Sequence, residues 1–204
     1  MEGVTKPAGP RGAPVSKLLL AIAVAVIVPT YVILRNGAWV YDDNLLLVLA
    51  RSEGFSLHWL NHPIFQHWDV GMNAVYSLMV HLFPFDYRWA LAAMLAGLGA
   101  AIYVFGRVIL VITGRGWMSA ALAAWFGFSI LWIRPLQWWA DGVQAIPTLL
   151  CDLICLYGFL RYQQERRARW GVASVAARAA GLLFYEKPAL MPICLARVRV
   201  LLIE

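Results

Sequence analysis

Two adjacent carboxylates, Asp42 and Asp43, are the residues of this sequence whose type and position best fit chemistry. They follow closely on the first long apolar run, Leu18 to Leu34, and therefore lie near a membrane surface. A carboxylate there can take a proton from a hydroxyl group as general base, or bind a divalent cation that steadies a departing phosphate. The structural alternative is that Asp43 with Asn44 caps the apolar helix that follows.

The polar stretch around this pair, Arg35 to Asp69, holds three histidines, His58, His62 and His67. Histidine and carboxylate side chains are suitable zinc ligands. However, His62 precedes Pro63, which favours extended backbone and disrupts a helical histidine face. Aromatic and histidine side chains are also common anchors at a membrane interface. The sequence thus predicts no resident metal site. It does not identify a cofactor, and a divalent cation is one candidate.

Composition places the chain among membrane proteins. Hydrophobic residues make up 62% of it and charged residues 14%, with a mean hydropathy of +0.68. In soluble domains, hydrophobic residues average about half and charged residues about a quarter of the chain. The net charge of +6 suits cytoplasmic loops and anionic membrane lipid, so no nucleic-acid partner is expected.

The apolar runs predict an all-α polytopic membrane protein. Residues 1–16, rich in proline and glycine, indicate a disordered cytoplasmic tail, and residues 17–204 the transmembrane domain. Basic residues before the first span keep the N-terminus in the cytoplasm of a multi-pass plasma-membrane protein, so the loop 35–88 lies outside. This loop is expected to hold two juxtamembrane helices, Asn44 to Arg51 and Val70 to Phe83.

About five or six spans are predicted by length and charge placement. Val70 to Phe83 is not counted as a span, because it would cover only about 21 Å. A span there would also place the basic cluster 161–169 on the outer face of the membrane. The last run carries Arg197 and Arg199 and stops at Glu204, which indicates a fragment boundary or a poor last span. The predicted spans are Leu18 to Leu34, Trp89 to Ile112, Gly116 to Ile133, Gly142 to Leu160, Trp170 to Tyr185 and, as the doubtful sixth, Ala189 to Ile203.

Two further outer segments, Arg134 to Asp141 and Tyr185 to Pro188, can converge with the first loop on this topology. Arg134 and Lys187 are outer-face cations that suit an anionic phosphate. The alternatives are a snorkelling arginine and a local charge balance between Glu186 and Lys187.

Two charges interrupt the predicted spans. Asp152 precedes Arg161 by the same number of residues as Arg178 follows Arg169, so both lie at one depth in an antiparallel hairpin. An unpaired charge inside a membrane is costly. Asp152 and Arg178 are therefore predicted to face each other as a structural pair.

The predicted order of a cytoplasmic N-terminus, one span, a long outer loop with two juxtamembrane helices and further spans with short loops resembles the amino-terminal part of the GT-C fold glycosyltransferases. These enzymes use polyprenyl-phosphate-linked sugars and include protein mannosyltransferases and arabinosyltransferases. The likeness is carried by YDD at the start of the outer loop, by HPIFQHWDVGMNAVYSLMVHLF, which resembles bacterial members, and by LLFYEKPALMP. It implies that Asp42 or Asp43 activates the acceptor and that Lys187 or a neighbouring outer-loop cation holds the donor phosphate. Substrate binding would then involve His62, His67, Arg134, Glu186 and Lys187.

The resemblance implies transfer of a hexose or pentose from a lipid-linked donor to an acceptor, by direct displacement with inversion. Such enzymes usually continue through more spans, so missing C-terminal helices or a partner subunit are expected. The alternative is a non-enzymatic membrane assembly or transport subunit. In an enzyme, Asp42 or Asp43 should share a cavity with Arg134 or Lys187, whereas in the alternative they should point apart into water.

Overall fold

A computed structural model describes residues 12–40, 42–64 and 67–185. This part of the chain is helical and contains no strand, only an isolated antiparallel bridge between Ile64 and His67. Glu186, Lys187 and the predicted run Ala189 to Ile203 lie outside the described residues. The nine α-helices of the described part are α1 (Gly12–Leu34), α2 (Asp43–Glu53), α3 (Leu57–Leu60), α4 (Val70–Leu82), α5 (Tyr87–Thr113), α6 (Gly116–Gly127), α7 (Ile133–Gln137), α8 (Trp139–Glu165) and α9 (Ala168–Leu182).

Three helices are long and apolar enough to cross a membrane: Pro14–Leu34 within α1, α5 and α8. A fourth span results if α6 and Ile130–Gln137, which are bent by 41° at their break, count as one. Large apolar side chains such as Val28, Trp125 and Val175 are exposed on these and neighbouring helices. A surface of that kind fits a lipid surrounding better than water, so the described part is an all-α protein of membrane type.

The described residues thus hold three or four candidate spans rather than five. The predicted span Trp170 to Tyr185 corresponds to α9, whose 15 residues include Arg178. They cover about 22 Å, which is short of the roughly 30 Å hydrocarbon core.

Two local predictions also differ from the structure. The helix predicted over Gly116 to Ile133 ends at Gly127 because the Ser129 hydroxyl accepts a hydrogen bond from the Leu131 N–H and starts a new turn. The segment predicted as the loop Arg134 to Asp141 is helical, since α7 and the start of α8 occupy it. At the N-terminus α1 begins at Gly12, so residues 12–16 of the predicted tail are helical.

The long loop folds into one unit built from α2, α3 and α4, two of which match the predicted juxtamembrane helices. The buried amide of Asn73 on α4 donates hydrogen bonds to the carbonyls of Trp59 and His62, both at 2.9 Å. The Ser77 hydroxyl donates to the Gly54 carbonyl at 2.5 Å. These bonds fasten α4 to the ends of α2 and α3, because side-chain donors on α4 reach backbone carbonyls of the segment before it.

Helix α5 lies at the centre of the bundle and packs against α1, α6 and α8, while α8 and α9 form a hairpin. Leu91, Leu98 and Ile102 of α5 are fully buried in this core. The bundle has two ends. We call the end at which α5 and α8 begin the Asp42 end, and the opposite one, about 30 Å further along α5, the Arg107 end.

Candidate functional site

Asp43 is completely buried at the Asp42 end, where four groups donate hydrogen bonds to it. Its Oδ1 accepts from the Ala140 N–H at 2.9 Å and from the Tyr76 hydroxyl at 3.3 Å. Its Oδ2 accepts from the N–H groups of Trp139 and Val40, both at 3.3 Å. Trp139 and Ala140 begin α8, and the N–H groups of a first helical turn lack partners within the helix. Asp43 therefore caps α8 from a distant part of the chain, where the helix dipole favours a negative charge.

Burial raises the pKa of the Asp43 carboxyl above its ordinary value of 3.8, while the hydrogen bonds from Ala140, Val40, Trp139 and Tyr76 oppose that rise. The pKa of the Tyr76 hydroxyl is raised as well, by burial first and by the charge of Asp43 second. Tyr76 thus keeps its proton and acts as a donor. With both oxygens engaged and no exposed surface, Asp43 is a structural carboxylate.

The structural alternative considered for the acidic pair, that it caps the helix following it, is wrong in its geometry. Asp42 is the N-cap residue of α2, but no side chain makes a capping hydrogen bond there. Asp43 is the first residue of α2 and directs its carboxylate to α8 instead. The pair is consequently split between two tasks.

Asp42 lines a cavity of about 1140 Å³ at the same end. Its Oδ1 accepts a hydrogen bond from the indole Nε1 of Trp138 at 2.9 Å. Its Oδ2 is buried and has no hydrogen-bond partner among the described residues. A carboxylate that lines a cavity and is held in place by one hydrogen bond can take a proton or bind a cation.

Arg134 lines this cavity together with Asp42. Its side chain is 73% exposed, and its Nε lies 3.6 Å from Oδ2 of Asp141. The guanidinium stands 5.1 Å from the centre of the Trp138 ring. Trp138 thus contacts both charged groups, and the end of α1, through Ile33 and Leu34, forms an apolar wall of the cavity.

The other predicted binding residues lie elsewhere or outside the described residues. His62 and His67 are not among the residues that line the cavity. The His62 ring stacks on Trp59 with centroids 6.2 Å apart, and the His67 ring meets Tyr185 edge-on at 5.3 Å. Within the described part of the chain, no group of three or more His, Cys, Asp or Glu residues is placed to hold a metal ion. Glu186 and Lys187 belong to the residues that the structure does not describe.

Asp152 and Arg178 face each other across the hairpin of α8 and α9, as their spacing predicts. The Arg178 Nη1 lies 3.5 Å from Oδ1 of Asp152, and the two side chains are 14% and 26% exposed. The Ser174 hydroxyl donates to the Cys155 carbonyl at 2.8 Å one turn away. The pair is therefore part of the contact between two helices and lies apart from the cavity.

Three residues at this end were missed by the reasoning from sequence. Trp138 positions Asp42, Tyr76 donates to Asp43, and Gln144 donates to the buried Asp69 at 2.6 Å. A tryptophan or tyrosine in an apolar stretch carries no sequence signal that distinguishes a hydrogen-bond donor from a core residue. These partners are joined only by the packing of α4 and α8 against α2.

A carboxylate and an exposed guanidinium line one cavity beside apolar helix ends. Such a site can accept a proton and bind an anion together with an apolar group. No protein-family model matches the chain, and neither a curated protein nor a solved structure is significantly similar to it.

Proposed function

We propose that this chain is a GT-C type membrane glycosyltransferase, or its amino-terminal part, that transfers a sugar from a polyprenyl phosphate to an acceptor. The observation that supports the proposal is the shared cavity of Asp42 and Arg134. The acid suits an acceptor hydroxyl, and the guanidinium suits the phosphate of the donor. The apolar wall formed by Ile33 and Leu34 suits the first isoprene units.

In the proposed reaction the acceptor hydroxyl gives its proton to the carboxylate of Asp42. The acceptor oxygen then bonds to the anomeric carbon from the face opposite the phosphate. The carbon–oxygen bond to the phosphate breaks, so the configuration inverts and polyprenyl phosphate leaves with its negative charge beside Arg134. Trp138 acts as a positioning residue through its bond to Oδ1 of Asp42. A divalent cation would supply charge stabilisation at the phosphate, but Asp42 alone is an incomplete set of ligands for such a cation.

The proposal includes a topology. Basic residues collect at the Arg107 end, where Lys17 lies in the second turn of α1 and the cluster 161–169 extends from the last turn of α8 into the first turn of α9. Cytoplasmic segments are enriched in such residues. This supports a cytoplasmic N-terminus and an Asp42 end at the outer face of a bacterial plasma membrane. A fifth span over α9 and a sixth over Ala189 to Ile203 belong to the same proposal.

The test is a transfer assay on membranes that contain the full chain, using polyprenyl phosphates that carry labelled hexoses or pentoses. Asp42→Asn should abolish transfer, because the amide cannot accept the acceptor's proton, while membrane insertion and extraction stay unchanged. Glu53→Gln, an exposed neutralisation in the same loop, is the matched control and should remain active. Full activity of Asp42→Asn would refute the assignment.

A second function, a non-enzymatic assembly or transport subunit, is favoured by one specific observation. Both carboxylates have structural partners, Asp43 at the start of α8 and Asp42 on Trp138. Binding of a sugar-free polyprenyl phosphate separates the two functions. Binding that weakens in Arg134→Gln supports the enzyme, whereas a wild-type chain that does not bind the lipid supports the subunit.

A further inference from the structure

We propose that a phospholipid with an anionic head group binds in the groove between α1 and α5, with its phosphate at Lys17 and Tyr103, beside Arg107. This site lies at the Arg107 end, away from the cavity of Asp42. It does not depend on the proposed glycosyltransferase activity.

The groove exists because small side chains of α5 face a larger apolar surface of α1. A cavity of about 530 Å³ lies between Leu20 and Val24 on one side and Ala96, Gly99 and Ala100 on the other. A second cavity of about 290 Å³ continues the groove to Tyr31 and shares Ile27 and Ala96 with the first. From Lys17 to Tyr31 the groove extends about 21 Å along α1. That length exceeds one leaflet of a roughly 30 Å hydrocarbon core, so the groove can hold an acyl chain.

The end of the groove near the start of α1 is polar. Ser16, Lys17 and Tyr103 line it. Behind them, Nη1 of Arg107 donates to the Ser16 hydroxyl at 3.3 Å and to the Tyr103 hydroxyl at 3.1 Å. Nη2 donates to the Tyr157 hydroxyl on α8 at 3.2 Å. Two cations and three hydroxyl groups therefore collect at one end of an apolar groove.

These cations have no counter-ion within the described part of the chain. Arg107 forms no ion pair there, and its Nε is buried without a hydrogen-bond acceptor. Its guanidinium instead packs against the rings of Tyr103 and Tyr157, 5.9 and 5.7 Å from their centres. A partly buried positive charge surrounded by neutral groups is costly, and an anion lowers that cost.

The combination of charge and apolar walls selects the occupant. A lipid phosphate can hydrogen-bond to the Tyr103 hydroxyl and to the Lys17 ammonium, with Arg107 attracting it from behind. A zwitterionic lipid carries a cation beside its phosphate and gains less from the two positive charges. A free phosphate ion gains nothing from Leu20, Val24 or the alanines. The occupant that uses both parts is an anionic phospholipid.

The proposal is tested by native mass spectrometry of the purified full chain, titrated with phosphatidylglycerol and, separately, with phosphatidylcholine. Wild type should prefer phosphatidylglycerol. Lys17→Gln should weaken its binding about fivefold, since each basic residue near an anionic lipid contributes about that factor. Arg107→Gln should weaken it by at least as much. Arg115→Gln, an exposed neutralisation at the same end, is the matched control and should bind like wild type.

A second pair of variants tests the apolar part without changing charge. Ala96 and Ala100 are exposed on α5, so Ala96→Leu and Ala100→Leu fill the groove without entering the core. Both should lose the bound phosphatidylglycerol and keep the thermal stability of the wild-type chain measured in lipid-free detergent.

Three outcomes would overturn the proposal. The first is equal wild-type affinity for the two lipids, and the second is an equal loss of binding in Arg115→Gln and Lys17→Gln. The third outcome combines two observations: the wild-type chain holds no lipid, and Ala100→Leu changes the stability or the oligomeric state. That result would mean that protein, not lipid, covers the groove.

Discussion

The two ends of the helical bundle accommodate a buried charge in different ways. At the Asp42 end, the first turn of α8 and the Tyr76 hydroxyl surround Asp43 with donors from within the chain. At the Arg107 end, the arginine meets only neutral hydroxyl groups and aromatic rings. A helix N-terminus supplies both hydrogen bonds and a favourable dipole to a carboxylate, whereas a hydroxyl offers a guanidinium no opposite charge. One end is thus complete by itself, and the other retains an attraction for an external anion.

This difference explains why neighbouring acids have separate tasks. Asp43 holds α8 against α2, so the cavity wall that includes Trp138 and Asp42 has a defined position. Asp42, by contrast, accepts one hydrogen bond from Trp138 and lines the cavity. The pair Asp152 and Arg178 is a third case, in which both charges come from the chain and neutralise each other.

The largest expected effect is that of Asp43→Ala. The substitution leaves the N–H groups of Ala140 and Trp139 and the Tyr76 hydroxyl without an acceptor in a buried place. A buried donor left without an acceptor costs about 1–3 kcal/mol. For three such donors we expect the free energy of unfolding to fall by about 3–5 kcal/mol, measured by denaturant titration in detergent. Asp42→Ala is the control and should cost about 1 kcal/mol, the value of one ordinary hydrogen bond. Equal losses in the two variants would contradict the separation of their roles.

The next effect is that of Gly142→Ala, which tests how closely α7 must approach α8. A Cβ at Gly142 would overlap the Pro135 carbonyl oxygen and the Met94 sulfur. We expect a loss of about 2 kcal/mol in thermal unfolding, together with weaker capping of α8. Gly171→Ala in α9 is the matched control, because its Cβ would meet the Tyr162 ring at an ordinary 3.5 Å. That variant should gain about 0.5–1 kcal/mol, and a similar loss at both positions would disprove the role of Pro135.

A smaller effect is expected from Arg107→Leu in lipid-free detergent. Its three hydroxyl partners can rotate to other acceptors, and removing the uncompensated charge offsets part of the lost bonding. We expect a change of about 1 kcal/mol or less, measured by the same titration as for Asp43→Ala. A loss as large as that of Asp43→Ala would show that Arg107 is neutralised from within the chain, and the contrast between the two ends would be wrong.

The smallest effect is a pH dependence that comes from Asp43. Because burial raises the pKa of this carboxyl above 3.8, the folded state holds its proton more firmly than the unfolded chain. The resulting stability is fully present below pH 3.8 and is lost as the pH rises through the raised pKa. The melting temperature of wild type minus that of Asp43→Asn should therefore increase from about pH 7 to about pH 4. A constant or decreasing difference would contradict the direction of the shift.

Reasoning from sequence placed most long elements but few of the contacts. Hydropathy and length located α1, α5 and α8, and the short apolar run Val70 to Phe83 located α4. The break after α6 was missed, since an apolar run gives no sign that Ser129 will start a new turn. The partners of Asp43 were missed because they are backbone N–H groups, which every residue except proline carries.

The sequence by itself determined the membrane class, the positions of the long helices and the pairing of Asp152 with Arg178. Composition and periodicity are properties of the chain alone, and a charge inside an apolar run needs a partner at its own depth. Only the tertiary structure decided which of Asp42 and Asp43 lines the cavity and which is buried. That decision depends on where α8 begins in space relative to α2, and such a distance is set by packing between segments far apart along the chain.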